Sequence, residues 1–394
     1  MKEIFKLASR TPDNGSVPEY LTPDHVRQVR TFHQTIPGYA PTPLVVLQDT
    51  AKALGVGEIW VKDESKRFGL NAFKVLGGSY AMAKLLCQNL GLEHADFSAL
   101  TGSEIREELG DITFVTATDG NHGRGVAWSA AQLGQKSVVY MPQGSAPERL
   151  ENIRALGADA EIIDGNYDDA VRLAARQAEE KGWLLVQDTA WEDYRQIPQW
   201  IMEGYCTMGL EALEQLEKAP THIFLQAGVG SMAGAMAGLF TAGLKEKPTI
   251  VIVEPNKADC IFRTAEADDG TLHIVTGAMD TIMAGLACGE PCSIGWDVLK
   301  NTAAHFISCP DAAAAYGMRI LGNPAGNDSR IISGESGAAA FGCAAAILTD
   351  PNLAHFKEIL GLKSDSRLLF ISTEGDTDKE NYRAITWGGR FSGK

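Results

Sequence analysis

The stretch ITFVTATDGNHGRGVAW, Ile112 to Trp128, decides the fold class. Its first six residues are apolar or β-branched, which reads as a buried strand. Thr118 to Gly123 hold two glycines and an asparagine, the composition of a tight turn. A helix is expected from Gly123 to Leu133, with its first N–H groups free beside the turn. A strand, a glycine turn and a helix in this order form part of a βαβ unit, which implies a parallel sheet.

The same alternation continues outward. Strands are expected at EIWVK (58–62), SVVYM (137–141), AEII (160–163), WLLVQ (183–187), HIFLQ (222–226), TIVIVE (249–254) and RLLFIS (367–372). Helix-length segments lie between them, among them Glu148–Leu156 and Asp168–Lys181. Continuous apolar runs such as TIVIV suit strands covered on both faces. The chain up to Tyr39 reads as an irregular arm with one helix, Pro23–Gln34. Gly91 to Asp111 is polar and acidic and reads as a surface insertion. With 394 residues, 45% of them hydrophobic, the chain is long enough for two α/β domains.

The net charge of −15 excludes some partners. The densest basic stretch, Lys62 to Arg67, is short and interrupted by Asp63 and Glu64, so nucleic acid and anionic membrane are not expected. Met1 to Arg10 lacks the apolar core of a secretory signal. Ala227 to Leu244 carries several glycines and reads as a loop and a buried helix, not a membrane span. The seven cysteines have irregular spacing, and no His or Cys pair joins Cys288 and Cys292 in a zinc site. They read as reduced, packed thiols of a cytoplasmic protein, and no metal is expected.

Five clusters fall where strands end or helices begin, the place where open α/β sheets bind ligands. Lys74, in NAFKVLGG (71–78), reads alone either as a snorkelling lysine or as an amine nucleophile whose pKa partial burial lowers. Asp119, Asn121 and His122 occupy the turn after ITFVTA. His122 reads equally as packing or as an acid–base group. Gly228-Val229-Gly230-Ser231-Met232 follow HIFLQ, and such a turn cradles phosphate with backbone N–H groups. A dinucleotide reading stays open there because Glu254 stands at the end of the next strand. The last two clusters are SGESG (333–337) and STEGD (372–376).

Lys62-x-Glu64 ahead of Phe73-Lys74, then Gly120-Asn121-His122-Gly123 and the glycine-rich 228–234 loop, resemble the fold-type II pyridoxal-phosphate enzymes. That group includes the serine and threonine dehydratases, cysteine synthase and the tryptophan synthase β subunit. The longer strings KDESKRFGLNAFKVLGG (62–78), TDGNHGRGVAW (118–128), QDTAWEDY (187–194), DTIMAGLACGEP (280–291), RIISGESGA (330–338) and STEGDTD (372–378) are similar to the diaminopropionate ammonia-lyase family. The similarity runs from about Phe32 to Thr377.

The resemblance implies a two-domain α/β fold, each domain an open, mostly parallel twisted sheet flanked by helices. Residues 1–75 and 189–394 would form the large cofactor-binding domain, and 76–188 a small domain inserted in it. Lys74 would hold pyridoxal phosphate as a Schiff base, and Asn121 would bond its 3-hydroxyl. Gly228 to Met232 would hold the phosphate, Ser372 or Thr373 would face the ring nitrogen, and Glu335 would lie beside the ring. Asp119 departs from the small Ser or Ala usual in the dehydratases. A carboxylate there suits a second ammonium group on the substrate, or a general base. Asp188 is the second candidate carboxylate, read equally as a cap or a structural ion pair. The implied reaction is α,β-elimination of D- and L-2,3-diaminopropionate to pyruvate and two ammonia by a homodimer. The alternatives are a serine/threonine-type dehydratase, a β-replacement enzyme and a non-catalytic dinucleotide binder. Cys260 and Cys288 sit in family-like strings that border the expected substrate entrance, where a regulatory disulfide is one outcome.

Overall fold

A computed structural model describes residues 4–94 and 96–392; the chain ends, including Met1 of the signal reading, and Ala95 of the insertion lie outside it. The strands are β1 (Lys6–Ser9), β2 (Leu44–Val46), β3 (Glu58–Asp63), β4 (Thr113–Ala117), β5 (Lys136–Met141), β6 (Asp159–Ile162), β7 (Leu184–Leu185), β8 (His222–Gln226), β9 (Thr249–Pro255), β10 (His305–Cys309) and β11 (Arg367–Ser372). They form a seven-stranded sheet, β1-β10-β9-β8-β11-β3-β2, and a four-stranded sheet, β6-β5-β4-β7. The small sheet is parallel throughout, and the large one is antiparallel only at its edge strands β1 and β2.

The apolar runs have the environment their composition demands. All five residues of β8 are buried. Ile223 and Leu225 join one core and Phe224 the other, so side chains alternate between two covered faces. Three strands lay outside the sequence reading: β1, β2 and β10. The N-terminal arm is therefore not wholly irregular, since Lys6 to Ser9 pair with Ser308 to His305. The strand expected at 183–187 shrinks to two residues, and Val186 instead continues by donating its N–H to Val115 O. The 91–111 segment contains two short helices, the first of them pinned by buried Phe97 and Leu100.

In the basic stretch 62–67, Lys62 and Arg67 are interior charges, and only Lys66 is exposed. Lys62 Nζ lies 2.7 Å from Glu211 Oε2, and Arg67 Nη2 lies 2.9 Å from Glu64 and 2.8 Å from Glu211. Glu211 belongs to the long helix Gln196–Gln215, which packs on the helix Val75–Asn89. The two backbones nearly touch. A Cβ on Gly204 would sit 2.4 Å from Leu76 O, and one on Gly77 would sit 2.5 Å from the Tyr205 ring. This close approach brings Tyr205 to the residue that begins the first helix, Lys74.

Candidate active site

The loops after β4, β7, β8 and β11 converge on an inner cavity lined by Lys74, Asp119, Asn121, Asp188, Gly228 to Met232 and Thr373, among others. Lys74 stands at the N-cap of the helix Val75–Asn89. Its Nζ donates to Asp188 Oδ2 and lies over the rings of Phe73 and Tyr205, at 5.5 and 5.6 Å. Asp188 also accepts from Tyr205 and Tyr167, each at 3.3 Å. Burial lowers the Lys74 pKa, but the charge and hydrogen bond of Asp188, with Tyr205 and Asp119, together outweigh it, and the amine is held above its ordinary range. The expected lowering is thus corrected: the carboxylate beside the amine raises its pKa instead. Burial would raise Asp188, yet Lys74 and next His122 pull it well below the usual carboxylate range.

The turn after β4 supplies three side chains. Asp119 Oδ2 accepts from Arg149 Nη1 at 3.2 Å. Burial raises the Asp119 pKa against the opposing charges of Arg149 and Lys74. Asn121 Nδ2 donates to Glu374 Oε2 at 2.5 Å. His122 Nε2 lies 2.7 Å from Val186 O. A carbonyl only accepts, so the proton sits on Nε2. Nδ1 has no hydrogen-bond partner and faces Asp188 Oδ2 at 3.9 Å.

The turn after β8 opens the helix Ser231–Gly243, with Gly230 at φ +96°. Its first-turn N–H groups have no intrahelical acceptor. Ser231 Oγ donates to the Asp188 carbonyl at 2.5 Å, joining this turn to the lysine's partner. Thr373 Oγ1 accepts from Gln226 Nε2 at 3.0 Å, which leaves its own O–H free to donate. Ser372 donates instead to Ser333 Oγ at 2.8 Å and does not line the cavity. Glu335 does not line it either. It borders an outer cavity of about 760 Å3 and accepts from Asn381 Nδ2 at 2.5 Å. Asp119 and Tyr167 line both cavities, and so does the segment 278–288, which carries a single 3-10 turn. Glu254 is fully buried and accepts from the N–H groups of Ile261 and Phe262. It caps a helix, so no ribose can reach it and the dinucleotide reading fails. All seven cysteines are buried, and the six other than Cys87 are free thiols.

The pyridoxal-phosphate dependent enzyme family model matches residues 35–358. A diaminopropionate ammonia-lyase of Escherichia coli (strain K12) is 52% identical over 398 residues, covering 99% of each chain. The crystal structure of the Escherichia coli diaminopropionate ammonia-lyase with D-serine superposes with a TM-score of 0.92, at 49% identity over 99% of this chain and 98% of that one. The same enzyme with an aminoacrylate–PLP azomethine reaction intermediate gives 0.89 at the same identity and coverage. The chain belongs to the diaminopropionate ammonia-lyase family.

The cofactor of this ammonia-lyase family is pyridoxal phosphate, and the donor set fits it. The inner cavity offers one primary amine, a helix start with free N–H groups, and a hydroxyl with its proton uncommitted. A Cβ on Gly228 would lie 3.1 Å from both Cys288 Sγ and Gly285 O, so the cradle accepts backbone but no side chain.

Several residues of this ammonia-lyase site escaped sequence reasoning. Tyr205 lies in a helix whose aromatics read as core, and Tyr167 opens a helix that reads as amphipathic. Arg149 sits in SAPERLENIR, which reads as an exposed helix start, yet its side chain is 6% exposed. Glu374 was visible within STEGD, but nothing local marked it as the acceptor for Asn121, 253 residues earlier.

Proposed function

We infer that the chain uses pyridoxal phosphate to eliminate ammonia from 2,3-diaminopropionate, giving pyruvate and two molecules of ammonia. The observation that carries this reading is Asp119 in the same cavity as Lys74, its carboxylate paired with Arg149 from the side of the outer cavity. A dehydratase acting on hydroxy amino acids needs no carboxylate there, whereas a second ammonium on the substrate does. Full-length identity of 52% to a diaminopropionate ammonia-lyase supports the same substrate.

Bound pyridoxal phosphate supplies an electron-withdrawing ring that stabilises negative charge at the substrate α-carbon. The free N–H groups of 228–232 would hold its phosphate, Thr373 would donate to its ring nitrogen, and the Asn121 amide would serve its 3-hydroxyl. Lys74 is the amine that holds the cofactor. Its free amine would serve as a base entering from the helix Val75–Asn89. Asp188 keeps Lys74 oriented. Asp119 enters from the turn after β4 and is a second base, and it also receives the substrate's β-ammonium. Two bases on different elements support turnover of both enantiomers.

The layout supports reading 76–188 as a small domain inserted between 1–75 and 189–394, since every strand of the four-stranded sheet falls within 113–185. Six free thiols fit a reducing, cytoplasmic setting. No helix among the described residues is long and apolar enough to cross a membrane. The homodimer is carried forward from the family resemblance, and light scattering tests it.

The deciding experiment adds diaminopropionate to the holoenzyme and follows the cofactor's visible absorbance together with pyruvate. Serine, threonine and O-acetylserine run in parallel. A spectral change with pyruvate from diaminopropionate in excess of the others is expected, and preference for a hydroxy amino acid overturns the reading. Asp119→Asn is expected to cost one enantiomer far more than the other; equal loss on both removes the two-base idea.

A further inference from the structure

Arg149 is the one cation that reaches Asp119 by a hydrogen bond among the described residues. It stands in the helix Pro147–Arg154, beside the small sheet, and its side chain crosses over the turn after β4. Gly120 makes the crossing possible. Its φ is +152°, and a Cβ there would lie 2.9 Å from Arg149 Cδ. The guanidinium then forks. Nη1 donates to Asp119 Oδ2 at 3.2 Å, and Nη2 donates to Thr377 Oγ1 at 3.3 Å. Thr377 passes its own proton to Glu374 Oε2 at 3.2 Å, the same oxygen that Asn121 contacts. A single side chain thus ties the turn after β4 to the loop after β11.

We propose that Arg149 is a positioning residue that holds Asp119 ionised and aimed into the inner cavity, and thereby sets the lowest pH at which Asp119 acts as a base. The inference rests on reading Asp119 as one of two bases. The groups around Asp119 leave this task to Arg149. Lys74 comes from the start of its helix and is already engaged by Asp188. Asp188 and Glu374 face Asp119 from the ends of β7 and β11 and disfavour its charge. Tyr167, His122 and Cys288 border it without a positive charge to offer. On its far side Arg149 meets Glu374, Glu335 and Asp378 as well, so these carboxylates keep the guanidinium charged. One N–H holds Asp119 while the other anchors the planar guanidinium on Thr377, so the donor's own position is fixed, which a flexible lysine ammonium's is not.

The test compares wild type, Arg149→Met, Arg149→Lys, Asp119→Asn and the double variant Arg149→Met/Asp119→Asn as holoenzymes. The pH dependence of kcat/KM is measured on each enantiomer of diaminopropionate. In Arg149→Met, the acid limb for the enantiomer that Asp119→Asn disables is expected to move up by about 1–3 pH units. The limb for the other enantiomer stays in place, and Arg149→Lys restores part of the shift. Infrared difference spectra supply a readout apart from turnover. A protonated-carboxyl stretch is expected to titrate at higher pH in Arg149→Met and to be absent from the double variant. An unmoved limb and an unmoved carboxyl titration overturn the proposal, as does an equal slowing of both enantiomers without a shift. If Arg149→Met does not retain cofactor, Arg149→Lys decides, with a smaller shift in the same direction expected and no shift overturning it. Should Asp119→Asn slow both enantiomers equally, the two-base reading fails, and the infrared titration still decides whether Arg149 holds Asp119 ionised.

Discussion

Replacing Glu335 by Gln separates charge from shape at one buried carboxyl. Glu335 is 1% exposed. Burial first and the neighbouring Glu374 next push its pKa from 4.5 up to about 7, against the pull of Arg149. An acid whose pKa is raised by folding favours the folded state fully below its unfolded value. That contribution is lost as pH rises through the folded value. At about 1.36 kcal/mol for each pH unit, the interval from 4.5 to about 7 amounts to about 3 kcal/mol of destabilisation above neutrality. Glutamine cannot ionise, and its amide oxygen still accepts from Asn381 Nδ2. The Glu335→Gln holoenzyme is therefore expected to exceed wild type by about 3 kcal/mol near pH 8, with the gap closing near pH 5. Urea unfolding at both pH values measures it. A gap of equal size at both, or a variant less stable than wild type at the higher pH, refutes the reasoning. Because Glu335 borders the outer cavity, cofactor content is expected to remain at the wild-type level.

Asp188→Asn removes the largest of the contributions that together offset burial at Lys74, so the amine's pKa is expected to fall from above its ordinary range to below it. Acylation of Lys74 across pH in cofactor-free protein, read by mass spectrometry, checks this, and an unchanged profile contradicts it. Glu211→Gln leaves Lys62 and Arg67 with a single buried carboxylate between them and is expected to cost about 3–5 kcal/mol in denaturant unfolding; a loss under about 1 kcal/mol, the range of exposed pairs, argues against the network. Gly204→Ala forces a methyl to within 2.4 Å of Leu76 O. It is expected to lower both the thermal midpoint and kcat, the latter because Tyr205 is displaced from Asp188. An alanine variant with wild-type values would show that the helices separate freely.

Much of the fold was legible because its strands are sandwiched between helices. HIFLQ and RLLFIS stand at the positions their composition indicated, 222–226 and 367–372. The strands that were missed are short or mixed in polarity. Lys6–Ser9 and Leu44–Val46 are edge strands whose place is set by partners distant in sequence, and HFISC carries a His and a Ser within its run. The same division holds for the site. Lys74, Asp119, Asn121 and the 228–232 loop occupy strand ends and helix starts, where local sequence carries a signal. Arg149, Tyr205 and Glu211 lie in helices, and what they touch depends on how closely those helices approach. The pH behaviour of Lys74 was misjudged for a related reason: burial is local and readable, but the carboxylate that reverses its effect comes from Asp188, 114 residues away.

The tautomer of His122 has a consequence for acid conditions. Its Nε2 proton is committed to Val186 O, so Nδ1 is the only atom that can take up another. That atom faces the oxygen of Asp188 that Lys74 also engages. A protonated imidazole would compete with the ammonium for one anion, and burial, by lowering the His122 pKa, postpones that rivalry until the medium is distinctly acidic. Asp188 is thus a single mooring with two claimants, and the order in which they gain their protons decides which of them is tied to it.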